Sequence, residues 1–427
     1  MLSSKFISRT FGASNFNKLF FILLFLSAVP IFGQVKPIVT PTPEPVLSTK
    51  TTDDKGELKP YVYIQTRGLK TFAEEANKLG KLGYRLEHMA PFGHAVGITR
   101  SPDPVERYNS AYLGTIFKLD KGNTYEYQWF EAETPGEIVT RMNERGEKGF
   151  YFRNSVPAAD DNGCGGGSSS SDATSQALEN LLAIACVSHN AVYFVERKND
   201  AADKKEYRVH YGKMGWGKNP SEQISLLLDE TAQKGFRPVA VGWITEGFKA
   251  GTYAVIERDI GAEAKPTGAA YKFLRGEFGF TKKVNELARE GYRLKFDMTA
   301  IAQELGLMEK TPGSSPTSYR WIDATGKTSE QDMAAAFNAG VRFVMTNRDA
   351  EDLIFEDLPS GSAEKYDYKM LDMYPFTIKP TKKNPNPPAP KTQEEIFGEF
   401  DAALAAGYTI RDIYVSQGIK VLFERKR

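Results

Sequence analysis

The sequence predicts an α+β fold built from about six tandem β-α-β-β repeats, with mixed three-stranded sheets and with the repeats packed in pairs. Two observations predict this fold. A segment with helical periodicity that ends at a glycine recurs along the chain, and segments with period two flank each copy. The clearest internal match places ANKLGKLGYRL over VNELAREGYRL without a gap, and GYRL is identical at residues 83–86 and 291–294.

Each helical segment ends at a glycine, the residue that takes positive φ without strain just after a helix. In the third copy, Ile224, Leu227, Leu228 and Thr231 have the spacing of one helix face. We therefore interpret the recurring glycines as structural helix ends. They are Gly83, Gly149, Gly235, Gly291, Gly340 and Gly407.

Strand-like segments surround each helix, as in YVYIQT before the first helix and YRLEHM after it. A further strand ends in an apolar residue, Glu and usually a base, as in VYFVERK at 192–198; the first copy offers AVGITR, Ala95–Arg100. The helical crossover predicts that the first two strands are parallel, and the last two are expected to form an antiparallel hairpin.

Both faces of a sheet are predicted to be covered. In the third copy, Tyr253 and Val255 point to one side of the last strand, and Ala254 and Ile256 point to the other. All four are apolar. We therefore expect one face to cover the helix of its own repeat and the other to pack on a neighbouring repeat.

The motifs set the predicted repeat boundaries. A Gly/Ser-rich insertion at 160–172 interrupts the second repeat, and a Pro-rich loop at 379–391 interrupts the sixth. The six repeats are predicted at 60–120, 121–200, 205–260, 268–312, 317–360 and 364–427.

Residues 1–33 are predicted to be a signal peptide. Lys5, Arg9 and Lys18 precede the apolar run Leu19–Phe32, which is too short to span a bilayer comfortably. Cleavage after the small residue Gly33 is expected, and an uncleaved anchor or a buried helix is the alternative. The mature protein is therefore expected to be exported, periplasmic or extracellular, without a membrane span.

Residues 34–59 are rich in Pro and Thr and are predicted to form an extended linker. The 427-residue chain has a net charge of only +1, so no general attraction to nucleic acid is expected. Four histidines and two cysteines leave little material for a metal site, and the sequence predicts no cofactor.

The repeat motifs resemble a small bacterial domain of unknown function. Single copies of that family end a helix in G-W-E-L or G-Y-x-L and finish with a strand that reads L-x-x-E/K-R. The match is best at Val284–Leu294, Asn77–Leu86, Tyr253–Arg258 and Val421–Arg425. The resemblance implies a β-α-β-β fold and brings no catalytic residue.

An arginine two places after the glycine recurs as Arg85, Arg237, Arg293 and Arg342. An anion-binding row is one interpretation. The preferred interpretation is a structural ion pair with the glutamate of the last strand, because adjacent strands place such side chains side by side. The predicted pairs are Arg237–Glu257, Arg293–Glu309 and Arg342–Glu356.

Cys164 and Cys186 are the two cysteines, and a disulfide between them would tether the Gly/Ser-rich insertion. A reactive Cys164 with His189 or His94 is the alternative. The insertion lacks the GK[ST] ending of a phosphate-binding loop, so a flexible loop is expected.

The sequence favours a non-catalytic binding or scaffold protein of the bacterial cell envelope, with a protein or peptide as its partner. The alternatives are a small-molecule or peptide sensor with a pocket between repeats, and an enzyme with a composite site between repeats. Filled apolar contacts between repeats would favour the scaffold. Converging polar side chains would favour the sensor or the enzyme.

Overall fold

A computed structural model gives the structure of much of the chain, and all six repeats belong to the compact unit Pro45–Arg427. No helix in the described ranges is long and apolar enough to cross a membrane. The signal peptide, Ala95–Arg100, the Gly/Ser-rich insertion, both cysteines and the Pro-rich loop 379–390 lie outside these ranges. The described residues are 46–92, 112–132, 134–157, 191–199, 203–213, 220–246, 249–261, 265–276, 279–300, 303–323, 340–347, 352–358, 362, 364–373, 391–415 and 419–427.

The strands form six separate small sheets, one for each repeat. We call the strand before the helix the outer strand and the strand after the helix the inner strand. The third strand of each repeat lies between these two in the sheet and is called the middle strand. The outer strands are β2 (Tyr61–Arg67), β5 (Tyr125–Ala132), β8 (Lys204–Lys213), β11 (Ala270–Gly276), β14 (Tyr319–Asp323) and β17 (Tyr366–Asp372). The inner strands are β3 (Tyr84–Phe92), β6 (Tyr151–Pro157), β9 (Arg237–Glu246), β12 (Arg293–Ala300), β15 (Val341–Thr346) and β18 (Thr409–Val415). The middle strands are β4 (Tyr112–Leu119), β7 (Ala191–Lys198), β10 (Lys249–Ile260), β13 (Gln303–Lys310), β16 (Asp352–Asp357) and β19 (Ile419–Lys426).

Five helices are described, each between the outer and inner strands of its repeat. Thr134 caps the second helix by accepting from the Glu137 N–H, and Thr392 forms a capping box with Glu395 at the fifth. The recurring glycines all have positive φ, from 72° at Gly340 to 92° at Gly291. The helices are α1 (Leu69–Lys81), α2 (Pro135–Gly146), α3 (Pro220–Ala232), α4 (Phe280–Arg289) and α5 (Gln393–Ala405).

The α+β class and the tandem β-α-β-β repeats are confirmed, but the prediction of mixed sheets is wrong. In every repeat the third strand lies between the first two and runs antiparallel to both. The helical crossover does make the first two strands parallel in direction. It leaves a gap one strand wide between them, and the hairpin returns the third strand into that gap.

The middle strand of repeat 1 is Tyr112–Leu119, so the assignment of Ala95–Arg100 to this strand is wrong. Tyr112–Leu119 pairs with both β2 and β3, and its Ile116 and Phe117 are fully buried on opposite faces. Lys118 stands opposite Arg85, where the other five repeats place a glutamate.

A short strand, β1 (Leu47–Ser48), adds to the outer edge of repeat 1 and makes its sheet four-stranded. Thr49 follows it and satisfies both backbone groups of Tyr63. The Thr49 N–H donates to the Tyr63 carbonyl, and the Tyr63 N–H donates to the Thr49 hydroxyl, both at 3.0 Å. The chain that leads into the repeats thus covers the first sheet edge.

The repeats close into a ring. Each of six apolar clusters combines buried side chains from two successive repeats. The sixth cluster joins Ile396, Phe400 and Val421 of repeat 6 to Tyr63 and Ile116 of repeat 1. The prediction that repeats pack in pairs is therefore wrong, because both faces of each sheet are apolar and each repeat has two neighbours. We call each contact between successive repeats a seam.

The described helices lie between two sheets. In repeat 3, Ala254 and Ile256 of the middle strand pack with α3, while Tyr253 and Val255 pack toward repeat 2. This arrangement confirms the expectation that one face covers the helix and the other meets a neighbour. At the crossing, a side chain on Gly146 would overlap the Lys205 carbonyl of the next repeat.

Two glycines of the same helix test this close approach. Gly146→Ala is expected to destabilise the protein, because the new Cβ would collide with the Lys205 carbonyl and crowd the Tyr207 ring. Gly136→Ala in the first turn meets only the Thr134 hydroxyl at 3.9 Å, so it should stabilise by up to about 1 kcal/mol through helix propensity. Urea unfolding of both variants measures the difference. Stabilisation by Gly146→Ala would contradict the close packing of the seam.

Candidate functional site at the inner edge of the ring

A β-bulge occurs at the same place in all six inner strands. The middle strand skips one inner-strand residue, four places after the recurring glycine. A bulge leaves a backbone N–H and C=O without partners in the sheet, so the neighbouring repeat must supply them. The skipped residues are Glu87, Arg153, Val239, Lys295, Val344 and Arg411.

A tyrosine from the next repeat binds the backbone beside the bulge. The Tyr127 hydroxyl accepts from the Leu86 N–H at 2.8 Å and donates to the Tyr84 carbonyl at 3.2 Å. The same contact joins Tyr207 to Phe152 at 3.0 Å. It also joins Tyr319 to Leu294 at 3.0 Å and Tyr368 to Phe343 at 2.8 Å. Burial raises the pKa of all four hydroxyls, so they remain protonated and able to donate.

Pro238 explains why this contact is absent from the seam between repeats 3 and 4; at the seam between repeats 6 and 1 the equivalent tyrosine, Tyr63, donates to Gln65 of its own strand at 3.0 Å. Pro238 stands where the other bulges place Leu, Phe or Ile, and proline has no N–H to donate. The equivalent tyrosine, Tyr271, instead donates to Glu309 of its own sheet at 3.0 Å.

Helix side chains hold the outer strand of the next repeat. Asn143 accepts from the Tyr207 N–H at 2.7 Å and donates to the Tyr207 carbonyl at 3.0 Å. Asn77 binds Tyr127 in the same way. Asn285 binds Tyr319 likewise, and Asp229 accepts from the Tyr271 N–H. All four side chains lie six residues before a recurring glycine, so this spacing is a sequence signal for the contact that the repeat motif defined from the glycine and the arginine does not include.

The glutamates of the middle strands are the centre of the inner-edge chemistry. Each receives a cation from its own inner strand, either two or four places after the glycine. Glu257 and Glu356 use the first position, with Arg237 at 2.8 Å and Arg342 at 2.6 Å. Glu196, Glu309 and Glu424 use the bulge position, with Arg153 at 3.4 Å, Lys295 at 2.8 Å and Arg411 at 3.3 Å.

Two of the three predicted ion pairs therefore lie within hydrogen-bond distance, Arg237–Glu257 and Arg342–Glu356. The third pairing, Arg293 with Glu309, is wrong. Glu309 binds Tyr271 and Lys295, and the Arg293 guanidinium reaches across the seam to donate to Glu356. Lys295 at the bulge position supplies the local cation and releases Arg293 for this contact.

The seam between repeats 1 and 2 shows the same arrangement. Repeat 1 has Lys118 in place of the glutamate, so Arg85 crosses to Glu196 of repeat 2 at 2.9 Å. Tyr151 donates to the same carboxylate, and Arg153 lies against its other oxygen. Burial, followed by the charge of Glu196, raises the pKa of the Tyr151 hydroxyl. Glu196 is fully buried beneath these groups.

Together these side chains form a charged collar around the inner edge of the ring. The cations keep exposed fractions from 19% at Arg153 to 59% at Arg237, whereas the carboxylates keep 0% at Glu196 to 18% at Glu309. The positive groups thus face solvent and the negative groups lie behind them. The collar comprises Arg85, Arg153, Arg237, Arg293, Lys295, Arg342 and Arg411, with Glu196, Glu257, Glu309, Glu356 and Glu424.

A second polar cluster joins three repeats just beyond the bulges. His88 Nδ1 of repeat 1 lies 3.5 Å from an Asp412 oxygen of repeat 6, and Thr346 of repeat 5 donates to Asp412 at 2.7 Å. Burial acts to raise the pKa of Asp412, but hydrogen bonds from His88, Thr346 and the Ile413 N–H outweigh it and lower this pKa.

Metal-ligand groups and His210 are the other candidates for chemistry among the described residues. Within the described ranges, no group of three His, Cys, Asp or Glu side chains is placed to hold a metal ion. His210, which lies 3.2 Å from the Thr231 hydroxyl, has its pKa lowered by burial. Cys164, Cys186, His94 and His189 lie outside the described residues.

Comparison with protein-family models, curated proteins and solved structures gives no match to this chain. The resemblance of the repeats to a small bacterial domain therefore stays a prediction. The candidate site rests on the geometry of the chain itself.

Tyr207→Phe tests the contact between tyrosine and bulge. The substitution leaves the Phe152 N–H without its acceptor, and an unpartnered buried donor costs about 1–3 kcal/mol of unfolding free energy. Tyr271→Phe is the matched control, because Pro238 offers no N–H and Glu309 keeps Lys295 as a partner. Chemical denaturation of both variants should show the larger loss for Tyr207→Phe. Equal losses would exclude the bulge contact as the cause.

Asp412→Asn tests the cluster between repeats through pH. The folded-state pKa of Asp412 is depressed, so the ionised carboxylate stabilises the fold above its unfolded pKa, and this contribution is lost as pH falls through the folded value. The unfolding free energy of the wild type should therefore decline more steeply than that of the variant from about pH 5 to about pH 3. Parallel pH curves would contradict this assignment.

Proposed function

We propose that the protein is a non-catalytic binding or scaffold protein of the bacterial cell envelope, exported by its N-terminal segment, whose protein or peptide partner meets the collar. The observation that carries the proposal is the construction of the seams. Each is filled by apolar side chains from two repeats, which is the property expected of a scaffold.

The collar supports binding in preference to structural pairing alone. A guanidinium carries five N–H donors, and the contacts to one carboxylate use only some of them. Arg237 and Arg342 remain about half exposed while their glutamates hold them in place. Such pre-organised donors lose little conformational entropy when a partner binds.

A sensor or an enzyme is the second candidate, and the cluster of His88, Asp412 and Thr346 favours it. These side chains come from three repeats, as a composite site requires. An imidazole held by a carboxylate is also a common acid–base pair. The reactive partner that such a site would need is not evident among the neighbouring described side chains, so binding remains the preferred proposal.

Site-specific photo-crosslinking in the source cells tests the proposed function. A benzophenone amino acid replaces Val344, a half-buried bulge residue that lies beside the collar and packs against the apolar cluster between repeats 4 and 5. In a second chain it replaces Leu226, which is 71% exposed on α3 away from the collar. A discrete protein adduct is expected from position 344 and not from position 226.

Mass spectrometry of the purified chain should find Gln34 at its N-terminus if the signal peptide is removed as proposed.

Two outcomes would contradict this proposal. Adducts at both positions in equal yield would indicate non-specific contact. A His88→Gln chain that keeps its fold but fails to crosslink at position 344 would move the site to the polar cluster and favour the sensor.

A further inference from the structure

The charges of the collar are not evenly balanced around the ring. Most of its glutamates receive one cation in direct contact, but Glu196 receives both Arg85 and Arg153, and Glu356 receives both Arg293 and Arg342. Counted by these ion pairs, each of the two sites therefore holds one cation more than it has carboxylates. Glu364, which also acts on Arg342, is itself paired with Lys426, and in repeat 1 the charge of Glu87 is offset by that of Lys118. The excess arises because Arg85 and Arg293 cross a seam to a glutamate that already has a cation from its own strand.

The two sites of excess charge lie on opposite sides of the ring. One is at the seam between repeats 1 and 2, and the other is at the seam between repeats 4 and 5, three seams away in a ring of six. Both sit at the same register in the repeat, so both face the same end of the ring. The chain as a whole has a net charge of only +1, so this concentration of cations is local.

The collar surrounds a small area. Inner strands of successive repeats contact each other from repeat 5 through repeats 6, 1, 2 and 3 to repeat 4. Direct side-chain contacts also cross this edge, as from Arg153 to the Leu86 carbonyl and from Arg293 to Glu356. An extended chain with closely spaced charges fits such an area better than the surface of a folded domain.

We propose that the collar recognises an acidic peptide segment, whose carboxylates bind the guanidinium groups of Arg85 and Arg153 on one side and of Arg293 and Arg342 on the other. The planar guanidinium matches a carboxylate with two parallel hydrogen bonds. This inference rests on the proposed function and names the chemistry of the partner at the same site.

The test measures binding of a fluorescein-labelled hexa-aspartate peptide to the purified mature chain by anisotropy, with a hexa-asparagine peptide as the uncharged control. Arg85→Gln and Arg293→Gln each remove one excess cation, while Arg153 and Arg342 keep the buried carboxylates paired. Each variant should bind hexa-aspartate about tenfold more weakly, as expected for one charge-assisted hydrogen-bonded pair. Binding should also weaken with added salt.

A matched control exists outside the collar. Glu206 on β8 receives Arg208 at 2.9 Å and Arg258 at 2.5 Å, the same two-to-one arrangement on an outer strand. Arg208→Gln should leave the affinity unchanged. Arg85→Lys and Arg293→Lys, which keep the charge and protect the fold, should fall between the wild type and the Gln variants.

Three results would overturn the inference: equal binding of the two peptides, an equal loss of affinity in Arg208→Gln, or tight binding of tripolyphosphate with none of hexa-aspartate. The last result would assign the collar to a small inorganic anion. A chain that crosslinks to a protein at position 344 but does not bind hexa-aspartate would keep the proposed function and reject only the acidic segment.

Discussion

The hydrogen bond between a tyrosine hydroxyl and the backbone beside a β-bulge is the contact on which the ring depends. Tyr127 makes it to Leu86, and Tyr207, Tyr319 and Tyr368 repeat it at three further seams. The bulge opens one position of each inner strand, and at these four seams the tyrosine of the following repeat binds there. The recurring spacing of GYRL within this chain therefore has a structural cause. Its glycine ends a helix, and its leucine offers an N–H to the next repeat.

The arginine of GYRL forms an ion pair with a glutamate of the next repeat, both at Arg85 and at Arg293. Glu196, Glu309 and Glu424 receive their cation from the bulge position, whereas Glu257 and Glu356 receive it two residues earlier. A buried carboxylate is costly without a counter-charge, so one of the two positions must be basic. Where both are basic, or where the glutamate is absent, an arginine is free to cross to the next repeat. The functional character of the inner edge arises from these departures.

Much of the repeat could be predicted from local pattern, because helices, their glycine ends and strand periodicity depend on neighbouring residues. The order of the strands in each sheet could not be predicted, since the hairpin can place the third strand on either side of the second strand. The polar contacts across the seams could not be predicted from the sequence either. The motif shows that Arg293 and Glu309 share a register, but the preference of Arg293 for Glu356 follows from Tyr271 and Lys295 occupying Glu309 first. Closure of the ring could not be predicted either, because a repeated sequence pattern does not show whether the first and last repeats contact each other.

The closing seam has a kinetic consequence. Lys59 and Asp401 pair at 2.6 Å across it, although 342 positions separate them in the chain. Every other seam joins repeats that are adjacent in sequence and can form as soon as both are complete. The closing seam cannot form before the last repeat is complete. The entropic cost of bringing its two sides together is the largest of the six seams, because it closes the longest loop. Until then, one apolar sheet face of repeat 1 and the apolar side of α5 stay open to solvent, so the half-finished ring is the state most prone to aggregate.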